Sequence, residues 1–203
     1  MLKIYLLRHG ETDYNLNGIV QGGGVDSDLN TTGIRQSLAF HKRYEKVPFE
    51  GVACSGLKRT YQTISPFFEA YPDVVRIPEL NEMDWGVMEG KKGTPEMHKE
   101  YKRLNNAWAE GKLDEAIEGG ESPRQAWERL REGIEQVRNT YRSGNVLVCS
   151  HGRVLRIMLA ELLGYGMQNM NLFSHNNTGL NLLTISPKGQ IRAELLNDLS
   201  HLK

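Results

Sequence analysis

The sequence predicts an α/β fold in which helices cover a mostly parallel central sheet, with an antiparallel pair at one edge. Three observations carry that expectation. Short apolar runs at residues 2–7, 51–54, 74–77 and 145–150 alternate with segments of helical period, the order that builds a parallel sheet. Two of those runs break off at His-Gly, once at His9-Gly10 and once at His151-Gly152, and strand ends of this kind commonly carry chemistry. Two further apolar runs, 180–185 and 191–196, straddle Pro187-Lys188-Gly189 as an edge pair would.

Each element is justified by local signals. After the first strand, residues 10–30 are rich in Gly, Asn and Asp with no sustained period, and read as a long, functional loop. A helix is expected from about Thr32, with Ile34, Leu38 and His41 on one face. The strand ending at Cys54 leads into a helix near Leu57 for which Ser55 is the expected cap. The third strand leads into the stretch from Glu79 to Gly90. Residues 91–120 break the alternation. Thr94-Pro95 opens a helix with Met97, Tyr101, Leu104 and Trp108 at helical spacing, and Gly111 and Gly119-Gly120 punctuate the residues after it, as expected of a cap-like insertion over a site. Ser122 to Gln125 form a capping box with proline in the first turn, and Trp127, Leu130, Ile134, Val137 and Tyr141 make an apolar stripe. A last helix runs from Val154 to Leu163 and stops at Gly164. No repeat, linker or low-complexity stretch interrupts the chain, so one domain over residues 1–203 is expected.

Composition narrows the function. With 25 basic and 25 acidic residues there is no long-range field to draw nucleic acid or an anionic membrane, so neither is an expected partner. A small anionic substrate would have to be met by local arginines. No amino-terminal stretch has the pattern of a secretory signal, and no apolar run approaches spanning length. Cys54 and Cys149, each near a strand end, suit buried reduced thiols and a cytoplasmic setting; neither has the loop of a thiol phosphatase around it. Nothing in the sequence encodes an oligomeric state.

The two His-Gly strand ends give the chemistry. Ligands of parallel sheets gather beyond the carboxyl ends of the strands, so His9 and His151 can face one pocket although they are far apart in sequence. Arg8 and Arg59 lie on the same edge, and planar guanidinium groups bind phosphate oxygens in pairs. With Asn15 and loop amides they would define a phosphate-sized anion site. A strand-end histidine also serves often as a structural hydrogen-bonder. Two histidines and several acids could in principle bind zinc, but no His-x-x-x-His or clustered carboxylate spacing is present, and the arginines would repel a cation. No metal is expected. Glu11, Glu82 and Glu89 all compete as proton-transfer groups.

Taken together these motifs resemble the histidine phosphatase superfamily, also called the phosphoglycerate mutase-like family. Arg8-His9-Gly10-Glu11-Thr12 matches its signature, Asn15 falls at a phosphate-contact position, and Gln21-Gly22 match the start of the next loop motif. Leu29 and Gly33 fit the opening of the first long helix, and the stretch from Ser55 through Arg59 to Thr63 is similar to the second phosphate arginine and its helix. Residues 82–90 are similar to the acid-bearing motif, residues 120–122 with Arg129 fit the late helix, and Ser150-His151-Gly152 with Arg156 match the second histidine motif. The departures are an extra glycine in Gly22-Gly23-Gly24, Ile19, Asp28, Asn30 and Gly56, all in or near the substrate loop. The resemblance implies a three-layer α/β/α sandwich of the phosphoglycerate mutase-like kind and no cofactor. It implies a phosphohistidine on His9, oxyanion contacts from Arg8, Arg59, His151, Asn15, Gln21, Gly22 and Gly152, and Glu82 as proton donor.

Hydrolysis of a small phosphorylated metabolite is the leading expectation. A cofactor-dependent phosphoglycerate mutase is the first alternative; it must keep water from the phosphohistidine, and the segment that supplies the lid is modest here. A noncatalytic phosphate-binding scaffold is the second, and would be expected to have lost one of the five central groups. The polar residues 165–178 and the insertion at 91–120 are expected to shape the pocket.

Overall fold

The computed structural model describes residues 1–203. Six strands form one sheet: β1 (Leu2–Arg8), β2 (Phe49–Cys54), β3 (Val75–Arg76), β4 (Gly144–Ser150), β5 (Leu180–Ile185) and β6 (Ile191–Asp198), in the order β3-β2-β4-β1-β5-β6. The first four in that order run parallel, and β5 and β6 pair antiparallel at the edge. The helices are α1 (Asp13–Asn17), α2 (Thr31–Tyr44), α3 (Lys58–Ile64), α4 (Pro95–Ala109), α5 (Pro123–Thr140) and α6 (Gly152–Leu162).

Strand alternation divides the core in two. Leu2, Ile4, Leu6, Val146 and Val148 point to the face packed by α4, α5 and α6, while Leu7, Val52, Cys54, Leu147 and Cys149 point to the face packed by Phe40 of α2 and Ile64 of α3. This is the expected three-layer sandwich. On α5 the buried stripe is Ala126, Leu130, Ile134 and Val137, each large member contributing ~1.5–3 kcal/mol by leaving water. The capping box at its start is present in both directions, Ser122 with Gln125. Cys54 and Cys149 are both fully buried free thiols, and burial pushes the Cys54 thiol up to about 11. No helix is long and apolar enough to cross a membrane.

Two local expectations are corrected. Ile34 and Leu38 of α2 are 52% and 53% exposed, and the helix instead buries Gly33, Ser37 and Phe40. The reason is close approach. A Cβ on Gly33 would lie 2.1 Å from the Glu11 carbonyl oxygen, and the Ser37 hydroxyl donates to the Thr63 carbonyl at 2.6 Å, so small and polar residues face inward where backbone meets backbone. Ser55 Oγ accepts the Leu57 amide at 3.2 Å just ahead of α3 but does not reach the amides of the helix itself. The cap is Asp26, which reaches in from the loop to accept the Lys58 amide at 2.7 Å, while Asp28 pairs with the Lys58 ammonium. Three of the positions that depart from the family pattern thus work locally, since Asn30 caps α2 through the Gly33 amide and Gly56 donates its amide to Asn81.

The ladder explains how distant residues meet. The β1–β4 register sets Arg8 beside Ser150, and β2–β4 sets Cys54 beside Cys149. His9, Ser55 and His151 therefore leave three neighbouring strands side by side. The connections of the adjacent strands β1 and β4 pass to α2 and α6 on opposite faces, which makes their carboxyl ends the switch point of the sheet.

Candidate active site

The His9 and His151 rings stand 5.2 Å apart between centroids, tilted by 57°. His9 Nδ1 lies 2.7 Å from the Gly10 carbonyl oxygen, which can only accept, so the proton sits on Nδ1 and the Nε2 lone pair is free. Burial, then the nearby Arg59 and Arg8 charges, hold His9 well below the usual imidazole range despite the opposing Gly10 bond, so the ring is neutral at pH 7. The Gly10 turn is itself pinned, because its amide donates to Thr63 Oγ1 at 2.9 Å.

His151 is wired in the opposite tautomer. Arg59 Nε donates to its Nδ1 at 3.2 Å, so the proton is on Nε2, 2.8 Å from Ser55 Oγ. Thr60 Oγ1 donates to the Leu57 carbonyl and so accepts from Ser55, which accepts from His151 in turn. A carbonyl that can only accept thereby fixes the whole chain. Burial first, then Arg59, keeps His151 well below its usual range. In this arrangement its Nδ1 faces the guanidinium and becomes an anion donor only by gaining a proton as Arg59 turns.

Arg59 is fully buried, and its other nitrogens donate to the Val25 and Gly22 carbonyls at 2.6 and 3.1 Å. Burial lowers it to about 10, still protonated at pH 7. Arg8 donates to the His175 carbonyl at 2.8 Å, and its buried Nε has no partner. Gly152 lies against that Nε, where a Cβ would come to 3.2 Å. Neither arginine has a carboxylate within ion-pair distance; the oxygens of a dianionic phosphate ester would supply the countercharge.

The three candidate acids separate cleanly. Glu82 is buried at the amino end of α6, where its carboxylate accepts from the amides of Met83 (2.8 Å), Arg153 (3.1 Å) and Val154 (3.2 Å). It shares a recess with Arg8 and Gly152. Glu11 instead accepts from the Asn30 side chain beside α2. Glu89 accepts from the Trp85 amide and packs on Gly22 and Gly24, with burial raising its carboxyl. Both pin loops.

The remaining expected contacts are of two kinds. Asn15 Oδ1 accepts from the Thr12 amide and from Asn177, whose Nδ2 also reaches the His9 carbonyl at 3.0 Å, so Asn177 ties Asn15 to the backbone of His9. Gln21 engages Thr12 and Ser27 with its two amide ends, and Gly22 supplies its carbonyl to Arg59, so both brace the loop over the site. Reading by residue type missed His175 and Asn177, which lie in the polar stretch 165–178 with no period, and Arg153, a charged residue buried in the first turn of the apolar helix α6. Ser55 was visible but assigned to a helix end. No group of three or more His, Cys, Asp or Glu side chains is arranged to hold a metal ion.

A model of the histidine phosphatase superfamily (branch 1) matches residues 4–199. The chain is 32% identical over 168 residues to a probable phosphoglycerate mutase of Serratia proteamaculans, covering 81% of this chain and 76% of that one. It is 28% identical over 203 residues to phosphoserine phosphatase 1 of Hydrogenobacter thermophilus, covering 100% and 95%. The crystal structure of the alpha-ribazole phosphatase from Shigella flexneri superposes with a TM-score of 0.83 at 28% identity, over 97% of this chain and 96% of that one.

Proposed function

The chain belongs to the histidine phosphatase superfamily, and from that premise we propose that it hydrolyses small phosphomonoesters through a phosphohistidine on His9. The observation that carries the reading is the His9 tautomer. Nδ1 is locked to the Gly10 carbonyl, which leaves a neutral ring with a free Nε2 lone pair between two guanidinium groups.

In the first step Nε2 attacks phosphorus in line, the P–N bond forms, and the P–O bond to the alcohol breaks. A proton held on Glu82 goes to the departing oxygen. Arg8 and Arg59 stabilise the equatorial oxygens, with His151 as a further donor once protonated on Nδ1. In the second step water attacks phosphorus, Glu82 takes one of its protons, the P–N bond breaks and the Nε2 lone pair is restored. Asn15 and the Gly152 amide complete the oxyanion contacts, and Gln21 and Gly22 hold the loop over Arg59. The residues alone suffice for this chemistry, with no cofactor.

Wild-type protein should hydrolyse 4-nitrophenyl phosphate in the presence of a chelator, and His9→Ala should lose at least about 10³ of that rate, the order lost when a covalent nucleophile is removed. Rapid acid quench should trap an acid-labile, base-stable phosphoprotein in the wild type. Turnover retained by His9→Ala would remove the nucleophile assignment.

Phosphoglycerate mutase activity is the second reading, favoured by the similarity to the Serratia protein. Measuring phosphate release beside interconversion of 3- and 2-phosphoglycerate separates the two.

A further inference from the structure

Beside the catalytic groups lies a recess of about 180 Å³ whose walls include Arg8, Glu82, Arg153, Arg156 and His175. Its charge is unbalanced. Arg153 is 6% exposed, yet its guanidinium bonds only neutral acceptors: Tyr101 Oη, Asn105 Oδ1 and, at 3.0 Å, Asn171 Oδ1. Trp85, Tyr101 and Trp108 surround it with ring centroids at 5.4–5.8 Å, a cation cage that holds the charge in place without neutralising it. Arg156, one turn further along α6, reaches the same Asn171 oxygen at 3.5 Å. Two like charges three residues apart on a helix repel, and here they converge on one neutral oxygen.

His175 completes the wall. It is 8% exposed, and both ring nitrogens are buried without a partner. Burial, with Arg156 and Arg8, lowers it to about 3, so it adds no charge of its own but offers one donor and one acceptor. Buried polar groups left open in this way call for a partner, and the polar atoms of a ligand in the recess would supply one.

The charge balance names the ligand. Once the transferred phosphoryl group has engaged Arg8, the two remaining guanidinium groups share the recess only with Glu82, which carries its transferable proton while the ester is intact, so their positive charge is unmatched. Resting on the phosphomonoesterase reading above, we propose that this recess binds a carboxylate on the alcohol portion of the substrate, gripped by Arg156 and Arg153 with His175 beside it. The substrates are then phosphorylated small hydroxy or amino acids rather than sugar or nucleoside phosphates. A planar single charge suits two converging forks.

The test uses 3-phosphoglycerate and glycerol 3-phosphate, which differ in a carboxylate against a hydroxymethyl group. Each is measured as a competitor of 4-nitrophenyl phosphate hydrolysis by the intact protein, which needs no turnover of the competitor. The carboxylated compound should compete about tenfold better or more, as expected for hydrogen bonds to a charged group. Arg156→Gln should bring the ratio close to one, and its continued inhibition by glycerol 3-phosphate shows that the variant is folded. Equal competition by the two compounds in the wild type overturns the proposal while leaving the phosphatase reading intact. A preference that survives in Arg156→Gln overturns the placement of the carboxylate in this recess. Failure to hydrolyse the aryl ester at all counts against the catalytic reading, and with it the purpose of the recess.

Discussion

His9 and Glu82 divide the chemistry in a way that single substitutions can separate. The nucleophile is needed for every ester, whereas a proton donor matters only when the departing oxygen is a poor leaving group. Glu82→Gln preserves the shape of the side chain and should lower kcat for an alkyl phosphate by about 10²–10⁴, with a much smaller effect on 4-nitrophenyl phosphate. Equal losses on both esters would show that Glu82 serves the α6 amides rather than the leaving group. Ser55 is a subtler case, because it accepts the only proton of His151 and is itself buried. Ser55→Ala orphans that N–H at a cost of about 1–3 kcal/mol and frees the ring to flip, so thermal stability and kcat should fall together. At this scale the sequence showed the groups that act on phosphorus, since Arg8, His9 and His151 sit at strand ends marked by abrupt loss of apolar character. It did not show Arg153, His175 or the second duty of Ser55. Those roles depend on which neutral acceptors surround a side chain, and no spacing encodes that.

Among the elements, strands and the amphipathic α5 were legible because burial on a sheet face or a helix stripe imposes a period on the residues themselves. The inner face of α2 was not. Its contact with the signature loop is made by Gly33 and Ser37, and a backbone approach writes no apolar period into a sequence. That contact predicts a specific fragility. A Cβ at Gly33 would stand 2.1 Å from the Glu11 carbonyl and 2.8 Å from its amide, both backbone atoms that cannot rotate away. Gly10 has the reciprocal problem, with Gly33 O at 2.8 Å. Gly33→Ala should therefore cost about 1–3 kcal/mol through overpacking and displace the turn that fixes His9. Chemical denaturation should show the loss of stability, and 4-nitrophenyl phosphate turnover should fall with it. The exposed neighbour Ile34 serves as control: Ile34→Gln should change stability by no more than about 0.5 kcal/mol, as a surface substitution does. A Gly33→Ala variant as stable and active as the wild type would mean that helix and loop are not in contact as described.

For the molecule as a whole, gathering neutral histidines among arginines has a consequence in pH. His9, His151, His175 and His201 are all held below the usual imidazole value, chiefly by burial. In the unfolded chain each takes a proton near pH 6.5, so below that value the unfolded state binds more protons than the native one, and stability rises with pH. The contribution is complete above about pH 6.5 and is lost as the pH falls towards the native values, down to about 3 for His175. Each fully displaced group adds a slope of at most about 1.4 kcal/mol per pH unit. Surface carboxylates such as Glu100 and Glu194 have lowered values and stay ionised until the pH is well below this window, and Glu89, raised by burial, acts in the opposite sense, so a loss between pH 6.5 and 5 belongs to the histidines. Urea unfolding should give a lower free energy at pH 5.5 than at 7.0, with a shallower dependence in His175→Leu. A stability that is flat or rises on acidification would contradict the buried neutral rings. Saturating inorganic phosphate should oppose the acid loss, because an oxyanion set between Arg8 and Arg59 offsets the positive field that keeps His151 unprotonated and lets that ring accept a proton as a donor to the anion. The same groups that make the site costly to acidify when empty are the ones that make it bind a dianion.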